Sequence, residues 1–468
     1  MSKDEPRPGS VEELFARERA LVTDLPADEE RWQRIVQAAR WRRRSHRQRY
    51  AGAAAAVALL AAGVAWGTTH GSGAPPLPAA TTVATPGPTQ ATPPAPSTSV
   101  PAPSPTATAV PGLARGAAVP KDFAVLSLSN AGHGRVYAMG DASCGHGVRC
   151  PVLAGSADEG RTWAVVHSFD ARTVPDADVV GASVQPASVL SQVRFATPEI
   201  GWVFGGGAMQ TRDGGRTWAP YPHSGDAVVA LETDGQQVVV VTGQHCGTGS
   251  CSGQLTLATD SVAQPHGVAG GGASADLGRG WNEPVLALGG GQPVVSVWTP
   301  VGGVLLQVQD TESLSPGSQG PVCRGGGAEV VTTDASAHPG LVGLCTTQGA
   351  AGSLGYAVNT SPDGLTWSVV DAQSLTLVNA GHIALAAADR SNLLAVSGGN
   401  PSIHGSLKVS HDGGHTWVVP AGAPPMPTMG WRWVGAPGGA TFYALGGSGP
   451  AYWVSHDHGD HWQKVTIG

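Results

Sequence analysis

Charge is scarce in this sequence. Asp, Glu, Lys and Arg make up 13% of its 468 residues, roughly half the usual share of a globular protein. That scarcity, with 67 glycines, suits a turn-rich all-β domain. No Cys-x-x-Cys pair occurs among the six cysteines, and that spacing is what finger and ribbon zinc sites need. Residues 1–50 lack a Cys/His zinc motif altogether. Long apolar runs are missing too, with one exception, Ala51–Gly67 (AGAAAAVALLAAGVAWG). Its seventeen residues are near the lower limit for a helix that crosses a bilayer.

The exception sets the expected topology. Six arginines (Arg40, Arg42, Arg43, Arg44, Arg47, Arg49) end immediately before it, and Tyr50 and Trp66 flank it as interfacial anchors. The positive-inside rule then puts residues 1–50 in the cytoplasm and everything after residue 67 outside. A cleaved signal peptide is the rival reading, but a fifty-residue leader is too long and no clean A-x-A site follows. The same arginines abut an apolar segment, which argues for topology over nucleic-acid binding. Residues 1–50 read as a helical arm, with a capping box at Ser10-x-x-Glu13 and a second helix over Ala27–Arg49. Residues 10–45 are where a cytoplasmic regulator would bind. The arm holds 12 basic and 9 acidic side chains, leaving 15 and 25 for the remainder. Residues 68–118 read as a stalk, because Ala74–Gly112 carries 12 of the 37 prolines amid Ala, Thr and Ser. Such a tract cannot bury a core. In polyproline II it would reach on the order of 120 Å at about 3.1 Å per residue.

Residues 119–468 are organised by repetition. Five stretches share Ser/Thr-x-Asp-x-Gly-x-Thr-Trp: Ser156–Trp163, Thr211–Trp218, Ser361–Trp367 (one residue short), Ser410–Trp417 and Ser455–Trp462 (His for Thr). Each lies between short alternating apolar runs, the signature of a β-hairpin. The Asp accepts backbone N–H bonds, the Gly supplies positive φ, and the Trp buries a large ring. Two further hairpins, at Asp260 and Asp310, keep the Asp without the rest. The turn residues are therefore Asp158, Asp213, Asp260, Asp310, Asp363, Asp412 and Asp457, spaced 45 to 55 residues apart. A strand precedes each hairpin. Units of about fifty residues match four-stranded propeller blades. The expectation is an all-β, seven-bladed β-propeller, with six or eight blades as the alternatives. The structural reading of Asp158, Trp163, Asp213, Trp218, Asp363, Trp367, Asp412, Trp417, Asp457 and Trp462 outweighs a catalytic one.

All six cysteines fall in this region, outside the expected membrane, where an even count favours disulfides. The local pairs are Cys144–Cys150 and Cys246–Cys251, leaving Cys323–Cys345. Loops between second and third strands lie opposite the repeated turns, and they are short and poor in charge. Asp141, His146, Arg149, His245 and His404 are their titratable side chains apart from the cysteines, so they are the candidate ligand contacts. His411, His415 and the His456–His461 run could suit a transition metal, but they occupy variable turn positions. No metal and no cofactor is therefore expected.

The repeat resembles the Asp-box, or bacterial neuraminidase repeat. Within it, Val193–Trp218 (VRFATPEIGWVFGGGAMQTRDGGRTW) is similar to a unit of photosystem-assembly-factor-type propellers, and that resemblance implies binding or assembly. Other Asp-box relatives are sialidases and xyloglucan-cleaving glycosidases. No Arg-Ile-Pro of the sialidase kind occurs here. Arg161 and Arg216 are turn residues, and the tyrosines 137, 443 and 452 sit in strand patterns. Glycosidases need two carboxylates about 5–10 Å apart. The connections between units supply Asp170, Asp176, Asp178, Glu283 and Asp371 for that purpose. The expected function is non-catalytic recognition of an envelope glycan or protein partner outside the cell, with no nucleic acid. The alternative is a membrane-anchored sialidase-like hydrolase. A third reading, a cytoplasmic regulator bound as in membrane-bound anti-sigma proteins, rests on the topology and the helical arm alone.

Overall fold

The computed structural model describes residues 113–468, except 145–148, 171–188, 248, 290–291, 317–327, 334–338, 351–352, 379–382, 399–404, 429 and 448. The expected arm, anchor and most of the stalk lie outside the described residues. Among those described, no helix is long and apolar enough to cross a membrane, and every extended element is a β-strand.

The chain runs as successive antiparallel meanders. The first is β1 (Ala124–Gly132), β2 (Arg135–Ser143), β3 (Arg149–Ser156) and β4 (Ala164–Ser168). The second is β5 (Gln192–Phe195), β6 (Gly201–Phe204), β7 (Ala208–Thr211) and β8 (Ala219–Pro220). A seven-stranded sheet follows: β9 (Ala227–Thr233), β10 (Gln237–Gly243), β11 (Cys251–Ser261), β12 (Ala273–Gly289), β13 (Gln292–Thr299), β14 (Gly302–Val308) and β15 (Leu314–Pro316). It consists of two meanders that share β12, whose first half pairs with β11 and second half with β13. Next come β16 (Ala328–Thr333), β17 (Leu341–Ala350), β18 (Ser353–Ser361) and β19 (Ser368–Val378). A three-stranded sheet holds β20 (Ile383–Ala387), β21 (Leu393–Ser397) and β22 (Ser406–Ser410). One antiparallel bridge, Val409 to Val418, stands where its fourth strand would run. The last sheet is β23 (Trp433–Gly438), β24 (Thr441–Leu445), β25 (Ala451–Ser455) and β26 (Gln463–Thr466).

These sheets stack face to face, so their middle strands are buried on both sides. That is why β10 reads as a run of four valines rather than as an alternation. Val239 and Val241 pack toward β12–β15, while Val238 and Val240 pack toward the second meander. Each such side chain contributes roughly 1.5–3 kcal/mol when fully buried. The same interleaving joins every meander to the next, and the series closes. Val119, Phe123, Val125 and Leu128 pack against Tyr443, Leu445, Tyr452 and Val454 of the last sheet. The leading strands trace that closure. β1 adjoins β5, then β9, β12, β16, β20 and β23 follow, and β23 returns to β1. The chain is a β-propeller. A backbone bond fastens the first sheet to the last, Val125 N–H donating to Gly449 O (2.9 Å), while Ile467 N–H to Pro450 O (2.6 Å) continues the β25–β26 pairing. Gly116 and Ala117 pair with Val165 along the outer edge of β4.

Innermost strands have one unpaired edge, which would leave backbone N–H groups without acceptors. Hydroxyls from the neighbouring sheet supply some of these acceptors. Ser129 Oγ accepts Phe195 N–H at 2.8 Å, and Thr333 Oγ1 accepts Leu288 N–H at 2.7 Å.

Candidate functional site

The repeated turns form one face. In the first, Asp158 Oδ1 accepts Thr162 N–H (2.8 Å) and Ser156 O–H (2.7 Å), and Oδ2 accepts Thr162 O–H (2.7 Å). Ser156 Oγ in turn accepts Gly160 N–H, and Trp163 Nε1 donates to Gly160 O. The same bonds recur around Asp213, Asp363, Asp412 and Asp457, ending on Trp218, Trp367, Trp417 and Trp462. At Asp457 the His461 ring takes the threonine's place, 2.7 Å from Oδ2. Asp310 does the same work with Ser313 O–H (2.6 Å), while Asp260 accepts Tyr221 O–H (2.9 Å) and Gly267 N–H (2.8 Å). Hydrogen bonds to the anion, led by the threonine hydroxyl, hold Asp158 and Asp412 down at about 2. At Asp213 and Asp457 burial pushes upward, but the hydrogen bonds outweigh it, and both also fall to about 2. These carboxylates are committed to the turns.

Histidines of this face pair off locally. His411 lies between Asn392 Oδ1 (3.0 Å) and Asp460 (3.2 Å), His456 meets Thr441, and His458 stands 3.9 Å from Asp389. Among the described residues no group of three or more His, Cys, Asp or Glu side chains converges to hold a metal.

The opposite face carries the candidate contacts. Asp141 and Arg149 are brought together, but not as loop residues: Asp141 lies in β2 and Arg149 opens β3. The strands run further into the connection than the sequence pattern suggests, because disulfide Cys144–Cys150 and the ladder Ser143–Arg149 extend the pairing. The Arg149 fork is nearly saturated by the fold. Its Nε donates to Asp141 Oδ2, its Nη1 to Asp122 Oδ2 (3.3 Å), and its Nη2 to the carbonyls of Asp122 (3.0 Å) and Asp141 (2.9 Å). Asp122 also accepts Ser143 N–H (2.9 Å). Asp141 is almost entirely shielded, its side chain 8% exposed. Arg149 therefore works as a clasp over the first meander.

Arg432, ahead of β23, reaches the same rim and donates to Val125 O across the closing seam. Burial lowers its guanidinium to about 10, opposed by the nearby Asp141 charge. No sequence signal marks it, since its partners are about 300 residues away. Arg194 is a second such case. It joins three leading strands by bonding Glu232 Oε1 (2.7 Å) and Ser127 Oγ (3.3 Å).

His245 stands apart, two meanders from Asp141. Its loop is stapled by Cys246–Cys251 over the buried Trp281, whose Nε1 donates to Gly253 O (3.2 Å). The residue is exposed with φ of 48°, and its N–H donates to the Asp226 carboxylate. His146, His404 and Cys323 lie outside the described residues, and Cys345 is disulfide-bonded. Of the connection carboxylates, Asp170 is exposed, while Asp176 and Asp178 fall outside the described residues. Glu283 and Asp371 lie within strands β12 and β19 rather than in connections.

No protein-family model matches the chain, and no curated protein matches it. Solved structures do. YCF48 bound to D1 peptide is 15% identical, covering 73% of this chain and 95% of that one, with a TM-score of 0.42. YCF48 from Cyanidioschyzon merolae is 16% identical over 74% and 98%, with a TM-score of 0.41. A GH74 xyloglucanase from Xanthomonas campestris is 16% identical over 72% and 66%, with a TM-score of 0.29.

Proposed function

We propose that this chain is a seven-bladed Asp-box propeller, held outside the cell by one membrane helix, that binds an envelope glycan or a protein partner without cleaving it. Counting the β9–β15 sheet as two blades that share β12 supports seven. Five turns with the same bonding pattern support the Asp-box reading.

One observation carries the non-catalytic reading: the carboxylates of the repeated turns, and Asp122, Asp141 and Asp226 on the opposite face, are already engaged inside the fold. Asp122 and Asp141 are held by Arg149, and Asp226 by the His245 N–H. A glycosidase needs a carboxylic acid with a raised pKa facing a second carboxylate. Every described carboxylate with a shifted titration, Asp158, Asp213, Asp310, Asp363, Asp389, Asp412 and Asp457, is shifted downward.

The test incubates the full-length protein with envelope polysaccharides and sialosides, then reads retained ligand and released product by mass spectrometry. Retention without release is expected if the ligand is a glycan, and His245→Ala should weaken it while leaving the fold intact. Product release would overturn the reading. If neither is seen, the protein-partner branch is tested by crosslinking in the native membrane.

A further inference from the structure

The seam between β13–β14 and β17–β18 differs from the others. Among the described residues its apolar core has seven buried side chains, Ala287, Val294, Leu305, Val331 and Leu341 with Cys345 and Ala357 of the facing sheet, whereas the other seams hold nine to fifteen. Strand alternation shows what fills the remainder. Val295, Val297 and Leu306 point toward β9–β11, so Ser296 and Gln307 point the other way, into this seam. They sit in adjacent rows, Ser296 opposite Leu305 and Gln307 opposite Val294. On the facing sheet Val358 points toward β20–β22, so Asn359 points back. Ser296, Gln307 and Asn359 are 0%, 6% and 3% exposed.

Each presents a shielded polar atom with no hydrogen-bonding partner among the described residues: Ser296 Oγ, Gln307 Nε2 and Asn359 Oδ1. The Asn359 amide is oriented by its other end, which donates to Cys345 Sγ (3.1 Å) and Ala357 O (3.5 Å). Each orphaned group carries a desolvation penalty unless something bonds it, and here three share one seam. Their chemistry is mixed and neutral: a hydroxyl that donates and accepts, an amide N–H that donates, and an amide oxygen that accepts. A small molecule that both donates and accepts would satisfy all three.

We propose that this seam is a water-binding site, in which ordered water bridges Ser296, Gln307 and Asn359 and takes the place of apolar packing between the two sheets. Buried water typically makes two to four hydrogen bonds to otherwise unsatisfied groups, and the three side chains meet that requirement.

The test combines a crystal structure of the full-length protein, refined to show ordered solvent, with oxygen-17 relaxation dispersion to count slowly exchanging waters. Solvent density within hydrogen-bond distance of the three atoms is expected. Asn359→Leu should remove at least one slow water from the count, and Ser296→Ala serves as the milder variant if the leucine chain does not fold. Direct bonds among the three side chains with no solvent between them would overturn the proposal. So would an unchanged water count in the variants, or an organic molecule in the seam, detected by native mass spectrometry.

Discussion

Ring closure can be probed at one atom. Gly160 holds φ at 89° in the first repeated turn, and a β-carbon there would stand 2.4 Å from the hydroxyl oxygen of Tyr452 in the last sheet. Gly160→Ala therefore has two costs. A left-handed backbone costs an alanine about 1–2 kcal/mol. Crowding a packed site adds about 1–3 kcal/mol, because the Tyr452 ring cannot retreat: Trp163 and Tyr443 hold it edge-on at 6.2 and 5.7 Å. The total is about 2–5 kcal/mol. Tyr452→Phe removes the clashing atom, and the next ring atom is 3.7 Å away, an ordinary contact. In that background Gly160→Ala should cost only the backbone part, giving a coupling energy of about 1–3 kcal/mol. Denaturant midpoints of the four proteins supply the cycle. Gly116→Ala calibrates the backbone cost, since φ there is 79° with nothing within 4 Å. Equal cost in both backgrounds would mean that the first and last sheets do not meet as described.

Acid should act through the turns. Asp158, Asp213, Asp412 and Asp457 titrate at about 2 when folded, against 3.8 ordinarily. Their pKa values are depressed, so the associated stability is whole above about pH 4 and is lost as the pH falls toward about 2. Denaturation midpoints stepped through that window should fall, and less steeply in Asp412→Asn; a flat wild-type profile would contradict the assignment. Replacing Cys246 and Cys251 together by Ser should cost about 2 kcal/mol, the loop-closure value for so short a loop, read as a lowered midpoint. Arg149→Ala should cost about 1.5–3 kcal/mol by orphaning the shielded Asp141. Adding Asp141→Asn should recover part of that loss, and no recovery would show that Arg149 does not act through Asp141.

The turns were legible because their bonds are short-range. Ser156, Asp158, Gly160, Thr162 and Trp163 bond within four residues of one another, so a local string encodes them. The two local disulfides were legible for the same reason. Sharing of β12 was not, because nothing in Ala273–Gly289 marks where one meander hands over to the next. The clipped fourth strand beyond Trp417 was not legible either. The run TWVVP reads as a strand, but its Pro420 lacks the N–H a ladder needs, and Val418 and Val419 remain exposed.

The candidate site shows the same division more sharply. Asp141 and Arg149 could be picked from the sequence as rare charges near a stapled loop. What they do there could not, because Arg149 is matched by Asp122, 27 residues earlier, and the rim is completed by Arg432, 307 residues from Val125. By itself the sequence determined the strands, the turns and their period, since these depend on neighbours a few residues away. Only the tertiary structure decided which charges meet, which seam is polar and how the last sheet closes on the first. Those contacts arise between segments that a linear pattern cannot place side by side.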